Sequence, residues 1–547
     1  MSDQHSTFGT EAQGHLKRYS DRLLDTVLPD SVISVLDQAA ANHPDRIAVN
    51  WFETGRQLSY GALKVNVDAV AANLMNLGVR KHTHVAVMLS FSPEWVTLFL
   101  ALAKLGAVNV PINTAYTAHE LEYILGFSGA QFAIAESEYT ATLAKIADAL
   151  PLLDTSRILE VGDPSDDFDN FEDLLKPVSD ISIPWSASAT DLMTFQPTSG
   201  TTGFPKLCML PQGYWLRMAQ RECAFYAVPL GVERILIWQP PYYMAGPFRL
   251  MLTLFLGGTA FVPQKMSVTK FADWLADYGI HYCTFPEWAF RAQKKRLLEK
   301  NFELKYVHTF AWTAESQSAF FKQTSIPCVE GFGMSEIGLV SITPVEIPEL
   351  VGLGTCGFVA PESEMCVFDD DFNEVDDGKM GELAIAGSTV FDGYYKAATA
   401  NSDSFHGRWF RTGDYFIRDA AGLFYFKGRK KELIKRSGEN ISAREVEEAI
   451  LGLENVAEVA AIPVADEARN EEVKVVVRLL DGLSDVDCSP AEIMAICQER
   501  LARFKWPRYI AYCSDYPRTP TRKIKKLLLL IEDNPLIYKE YDVHNIE

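Results

Sequence analysis

Residues 194–209 read TFQPTSGTTGFPKLCM, and they hold the densest group of chemistry-bearing side chains in the sequence. An apolar run ends in Thr198, Ser199, Gly200, Thr201, Thr202 and Gly203, with Lys206 close behind. The glycines let the backbone curl, the hydroxyls are donors, and neighbouring N–H groups can converge on phosphate oxygens. Lys206 can add a point charge. The spacing is not that of a G-x-x-x-x-G-K-[ST] loop, so phosphate binding here would have a different geometry. A flexible surface loop is the plainer alternative for such a composition.

Four further segments follow in order: GFGMSE at 331–336, RTGD at 411–414, GRKKELIKRSGENIS at 428–442 and PRTPTRKIKK at 517–526. With TSGTTGFPK, this series resembles the adenylate-forming superfamily of acyl-CoA synthetases, luciferases and peptide-synthetase adenylation domains, over nearly the whole chain from about residue 30. The general texture, including LARFKWP, is most similar to AMP-forming acid–CoA ligases of the crotonobetaine/carnitine type. The resemblance implies that a carboxylic acid is activated with ATP as an acyl-adenylate and then transferred to coenzyme A.

It also implies roles for single residues. Glu336 is a hard oxygen ligand suited to Mg²⁺ on the triphosphate, and Ser335 offers a hydroxyl to the α-phosphate. A helix N-terminal charge capped by Ser335 is the structural alternative. Gly331 and Phe332 line the nucleotide site. Asp414 can accept from both ribose hydroxyls, and Arg429 can reach ribose or phosphate. For an isolated T-G-D, an Asx turn would serve equally. Lys523 is expected to bridge the incoming carboxylate and the α-phosphate, where negative charge accumulates. Otherwise Arg518, Arg522, Lys523, Lys525 and Lys526 would form a solvated basic face or a patch against acidic surface. Lys431 occupies the family's hinge position, and the loop holding Gly438 is expected to approach the nucleotide when CoA reacts.

Three positions depart from the family pattern. Arg522 stands where glycine usually precedes the lysine, which removes tolerance of positive φ. Gln212 stands at a position often histidine, and Tyr243 replaces the histidine of P-x-x-H-x-x-G in Pro240–Gly246. By family position, the acyl pocket draws on Trp238, Tyr242, Tyr243, Thr284 and Trp312. Such aromatics suit a small apolar or aromatic acid, or a box for a quaternary ammonium acid aided by Glu287 or Glu315. No Asp stands in the 242–244 region, which disfavours an amino-acid substrate.

Other apparent motifs fail on context. Gly352 to Gly357 matches G-x-G-x-x-G, but strand-like residues and not a helix follow it. GMSEIG is one residue too long for a nucleophile elbow. The ten histidines form no metal-spaced cluster.

The elements that must position these residues follow from the rest of the chain. Its 547 residues exceed what one core serves, so at least two domains are expected. From about 30 to 430, helical patterns alternate with short apolar runs such as 84–89, 132–135 and 234–237, giving layered α/β structure with several sheets. Beyond this a compact series is expected: helix 443–451, strands 456–463 and 472–480, helix 490–504 and strand 508–513. The expected organisation is a large N-terminal ATP- and acyl-binding domain, 1–430, and a small mobile α+β domain, 431–547. Ser489, Pro490 and Glu492 form a capping box in the sequence.

Net charge is −21, so nucleic acid and anionic lipid are poor partners. The N-terminal residues lack an apolar signal region, and residues 95–112 are broken by Lys104 and Gly106, so no membrane span is expected. Nine dispersed cysteines without a C-x-x-C pair fit reduced thiols in the cytoplasm. The expected partners are a small-molecule carboxylic acid, ATP and coenzyme A; a homo-oligomer stays open. Two rival functions remain at this point: delivery of the acyl group to a separate carrier protein, and a non-catalytic nucleotide-binding relative.

Overall fold

The computed structural model describes residues 2–163, 165–178, 183–198, 205–430, 433–436, 439–466, 469–518, 524–531 and 534–543. The fold is α/β, with a larger N-terminal part and a smaller C-terminal one. Two compact units are Met1–Met365 with Ile385–Phe410, and Cys366–Ala384 with Arg411–Glu547. The division expected at 430/431 falls inside the second unit. There the Arg444 guanidinium lies 5.2 Å over the Phe426 ring, so the residues before 430 group with those after it.

The large unit holds two seven-stranded sheets. Their strands are β1 (Ile47–Trp51), β2 (Arg56–Ser59), β3 (His84–Met88), β4 (Val108–Pro111), β5 (Phe132–Glu136), β6 (Ile158–Val161) and β7 (Asp169–Asn170). The remainder are β8 (Leu192–Thr198), β9 (Lys206–Pro211), β10 (Arg234–Leu236), β11 (Thr259–Phe261), β12 (Tyr282–Thr284), β13 (Tyr306–His308) and β14 (Cys328–Val329). One sheet runs β7-β6-β5-β3-β4-β8-β9 and the other β14-β13-β12-β10-β11-β1-β2. Pairing is parallel throughout except at the edges, where β8–β9 and β1–β2 are antiparallel. Within each sheet the carboxyl ends of the parallel strands therefore share one edge, the usual place for ligand-binding loops.

Local chemistry sets the helix limits. In Pro93–Leu105, Ser92 caps the N-terminus by accepting from Trp95 N–H, Pro93 opens the first turn, and Gly106 closes the helix at φ 63°. The chain then enters β4, so residues 95–112 are a buried helix and strand, and no described helix is long and apolar enough to cross a membrane. The polar N-terminal residues form a helix, Ser2–Leu24, that the sequence patterns left unassigned. Its Tyr19 is fully buried, stacks on Phe225 at 5.3 Å and donates to Glu346 at 2.5 Å.

In the second unit, Asn470–Leu479 pairs with Val456–Asp466, Leu433–Arg436 and Tyr509–Cys513. The alternation of a strand divides its residues: Val475 and Val477 face Ile450 and Ile493, while Val476 faces Ala460 and Leu529. The helices Ala443–Leu451 and Pro490–Arg500 supply that first layer, and the capping box of Ser489 and Glu492 is present in both directions.

Candidate active site

β8 ends at Thr198 opposite Lys206, the first residue of β9. The hydroxyl-rich segment thus joins two antiparallel strands at the carboxyl end of β8; Ser199, Gly200, Thr201, Thr202 and Gly203 themselves lie outside the described residues. Lys206 Nζ sits 4.5 Å from the centre of the Tyr394 ring. The same tyrosine donates its hydroxyl to Glu336 Oε1 at 2.9 Å. Burial, and next the charge of Glu336, push the Tyr394 hydroxyl above its ordinary range, so it stays a neutral donor. Glu336 is only 5% exposed, and its carbonyl accepts from Phe391 N–H at 2.9 Å.

Glu336 and Ser335 occupy the turn between the short strands Gly333–Met334 and Gly338–Leu339. This is a hairpin and not a helix start, so the capping role considered for Ser335 does not apply. Just before it, Phe332 N–H donates to Ser341 Oγ at 2.8 Å. A Cβ on Gly331 would meet the Ser341 carbonyl oxygen at 2.5 Å, a contact only glycine avoids. Tyr394 is a candidate site residue that the sequence motifs did not mark; its one signal was the paired aromatics of FDGYYK.

The segments expected to form the acyl pocket follow the carboxyl ends of β10, β12, β13 and β14. Trp238 donates its indole N–H to the Thr284 carbonyl at 2.8 Å and meets Trp288 edge-on at 6.3 Å. Tyr242 and Tyr243 pack edge-to-face at 4.7 Å. Gln196 of β8 donates to the Tyr242 carbonyl at 2.9 Å, and Asn113 donates to the Tyr243 hydroxyl at 3.2 Å. These two bonds join the loop after β10 to strand ends of the other sheet. Burial raises the Tyr243 hydroxyl, so it cannot exchange protons near neutrality as a histidine would. A Cβ on Gly246 would lie 2.8 Å from the Pro240 carbonyl, which keeps this loop tight.

Two of the residues singled out in the sequence are tied into the fold. Trp312 is 3% exposed, ties its N–H to the Phe285 carbonyl at 2.8 Å and stacks on Phe290, within the apolar core. Gln212 is fully buried, accepts from Val32 N–H and donates to the Ala103 carbonyl, so it joins secondary elements. Glu287 accepts from Thr313 at 2.7 Å and pairs with Arg291 at 3.1 Å.

In the second unit, Asp414 and Arg429 face each other across the strands Trp409–Arg418 and Phe424–Arg429. Arg429 Nε stands 3.6 Å from Asp414 Oδ1, with Asp414 nearly buried and Arg429 half-exposed. Of the basic run, Arg518 pairs with Glu458 and Lys526 with Glu447 at 2.7 Å. Lys431, Gly438, Arg522 and Lys523 lie outside the described residues. Among the described residues, no three His, Cys, Asp or Glu side chains form a metal-binding group.

Residues 36–395 match the family of AMP-binding enzymes, and residues 445–523 match the AMP-binding enzyme C-terminal domain. The chain belongs to the AMP-binding enzyme family. This AMP-binding enzyme is 29% identical over 534 residues to the putative acyl-CoA synthetase YngI of Bacillus subtilis, covering 90% of this chain and 95% of that protein. It is 28% identical over 539 residues to sulfoacetate–CoA ligase of Cupriavidus necator, covering 92% and 97%. It is 26% identical over 524 residues to crotonobetaine/carnitine–CoA ligase of Salmonella typhi, covering 92% and 99%. The AMP-binding enzyme shares its fold with the anthranilate CoA ligase AuaEII in complex with anthranoyl-AMP, at a TM-score of 0.82, 23% identity and coverage of 93% and 98%.

Proposed function

We propose that this AMP-binding enzyme is an AMP-forming carboxylic acid–CoA ligase. The carboxylate oxygen attacks the α-phosphorus of ATP and the bond to pyrophosphate breaks. The sulfur of CoA then attacks the acyl carbon, the bond to AMP breaks, and the thiol proton leaves to solvent. The names of the relatives, an acyl-CoA synthetase and two acid–CoA ligases, support this class of reaction.

The observation that carries the proposal is Tyr394. One ring holds Lys206 on its face and Glu336 at its hydroxyl, pairing a cation and a buried carboxylate beside the start of β9. A triphosphate with its counter-ion needs both. Glu336 would hold Mg²⁺ together with phosphate oxygens, since this ion favours one or two carboxylates plus substrate phosphates, and it would neutralise phosphate charge. Thr198, Ser199, Gly200, Thr201, Thr202 and Gly203 would cradle the phosphates with Lys206, and Ser335 would face the α-phosphate. Gly331 and Phe332 would border the nucleotide, and Asp414 and Arg429 would hold its ribose. Trp238, Tyr242, Tyr243 and Thr284 would border the acid.

Lys523 would supply positive charge where carboxylate and α-phosphate meet. Residues 431–547 would act as the mobile domain, releasing the contact of Arg444 with Phe426 as the chain pivots at Lys431, so that the Gly438 loop serves thioester formation. We place the enzyme in the cytoplasm, acting on dissolved substrates.

Pyrophosphate exchange and AMP release, measured over a panel of acids with and without CoA, test the assignment. CoA-dependent AMP release with thioester product is expected. Transfer only to a carrier-protein thiol would replace CoA as acceptor, and tight ATP binding with no exchange for any acid would refute catalysis.

A further inference from the structure

Arg249 lies in the helix Ala245–Leu256, three residues past the end of the Pro240–Gly246 element, and is 2% exposed. Its guanidinium lies against the rings of Phe248 and Tyr282, at 4.4 and 5.1 Å from their centres. It donates from Nη2 to Thr284 Oγ1 at 2.9 Å. Among the described residues its Nε has no hydrogen-bond partner and no carboxylate lies within ion-pair distance.

A guanidinium cannot shed its charge, carries five donors, and is costly to bury with donors unused. Glu222 shares this face of β12 and β13 and feels the charge of Arg249 without a direct bond to it; its Oε2, like Arg249 Nε, has no hydrogen-bond partner among the described residues. It accepts from the Tyr306 hydroxyl and stands 3.6 Å from His308 Nδ1. Burial also holds much of its population neutral, with its carboxyl pushed up to about 7. Arg249 therefore sits charged at the carboxyl end of β12, on the hydroxyl of the residue whose carbonyl anchors Trp238.

We infer that Arg249 reads a second anionic group on the acid, so that the substrate is a short acid with two anionic heads, the distal one a carboxylate or sulfonate. The inference rests on the ligase assignment and narrows it. A carboxylate or sulfonate can present two oxygens to a guanidinium, accept two N–H bonds and offset its burial at once. A simple alkyl acid would leave the donors unpaired. A quaternary ammonium acid would place like charge against it in a poorly screened site.

The test compares kcat/KM for succinate, glutarate and sulfoacetate with that for butyrate and valerate, in the wild type and in Arg249→Met and Arg249→Lys. The wild type is expected to favour the two-headed acids by about tenfold or more, because a site with buried donors rejects analogues that cannot pair them. Arg249→Met is expected to lower the ratio of two-headed to single-headed activity by about a hundredfold, mainly through KM, with Arg249→Lys in between. A wild type that prefers the single-headed acids overturns the inference. So does an Arg249→Met enzyme whose two classes fall together, which marks a structural role. Should Arg249→Met fail to fold, the wild-type preference and Arg249→Lys still decide. CoA-thioester formation from single-headed acids alone sinks the inference and leaves the ligase assignment standing; no activity with either class removes both.

Discussion

Glu222 offers a test of the buried polar layer beneath the candidate site. It ends the helix Gln212–Glu222, is 1% exposed, and faces Tyr306, His308 and Arg249. Burial raises its carboxyl from 4.5 to about 7, against the opposing pull of Arg249 and the Tyr306 hydroxyl. The folded protein therefore holds a proton that the unfolded chain has released, and stability falls as pH rises from 4.5 to 7. A shift of this size corresponds to roughly 3 kcal/mol in full, of which about 2.5 kcal/mol develops between pH 5 and 8. Buried His308 is held well below 6.5 and acts in the other direction, losing stability as pH falls below 6.5. Since both proteins keep His308, its contribution cancels in a comparison. Glu222→Gln keeps an acceptor for Tyr306 and removes the titration. Urea unfolding at pH 5, 6, 7 and 8, followed by tryptophan fluorescence, reads the right body, because every tryptophan except Trp506 lies in the large unit. The variant should gain on the wild type by about 2.5 kcal/mol across that range. Parallel profiles, within about 1 kcal/mol, would show that Glu222 ionises as if solvated and refute the reasoning.

Tyr394→Phe keeps the ring under Lys206 and removes the bond to Glu336; pyrophosphate exchange should fall about tenfold, with a steeper dependence on Mg²⁺ concentration. Lys206→Met should raise the KM for ATP by about tenfold or more, whereas an unchanged KM would detach Lys206 from the phosphates. Lys523→Ala should cut acyl-adenylate formation by at least about a hundredfold while thioester formation from supplied acyl-adenylate persists, as stopped assays of each half-reaction would show. Arg436→Met should destabilise the second unit by about 1–3 kcal/mol in calorimetry, because Glu472, 1% exposed and 2.7 Å away, would keep only the half-exposed Arg469 at 3.2 Å.

Much of this architecture was legible because single periodicities and punctuation agree along the chain. The expected strand over 84–89 is His84–Met88, and the expected helix over 443–451 is Ala443–Leu451. The helix expected over 490–504 ends at Arg500, where Leu501 turns to extended backbone and a separate 3-10 turn, Arg503–Lys505, follows. The helix Ser2–Leu24 escaped because its polar surface carries little periodic signal; only a few residues, such as Tyr19, anchor it to distant parts of the chain. At the site, glycine and hydroxyl spacing singled out the segment after Thr198, since that signal is local, and the structure describes its two flanking strands. Tyr394 and Arg249 were invisible for the opposite reason. Their meaning arises from partners at Glu336, Lys206 and Thr284, which the topology brings close and the linear order does not.

β1 is an interior strand of its sheet, yet its parallel partner β11 lies more than 200 residues later, with Val49 opposite Ala260. During synthesis at about 5–20 residues per second, the hairpin of β1 and β2 must wait roughly 10–40 s for that partner. Until then its apolar row and unpaired backbone offer a natural seat for a nascent-chain chaperone, and slow decoding downstream would lengthen the exposure. Expression yield should therefore depend on translation tempo between β2 and β11 more than on the intrinsic stability of either end.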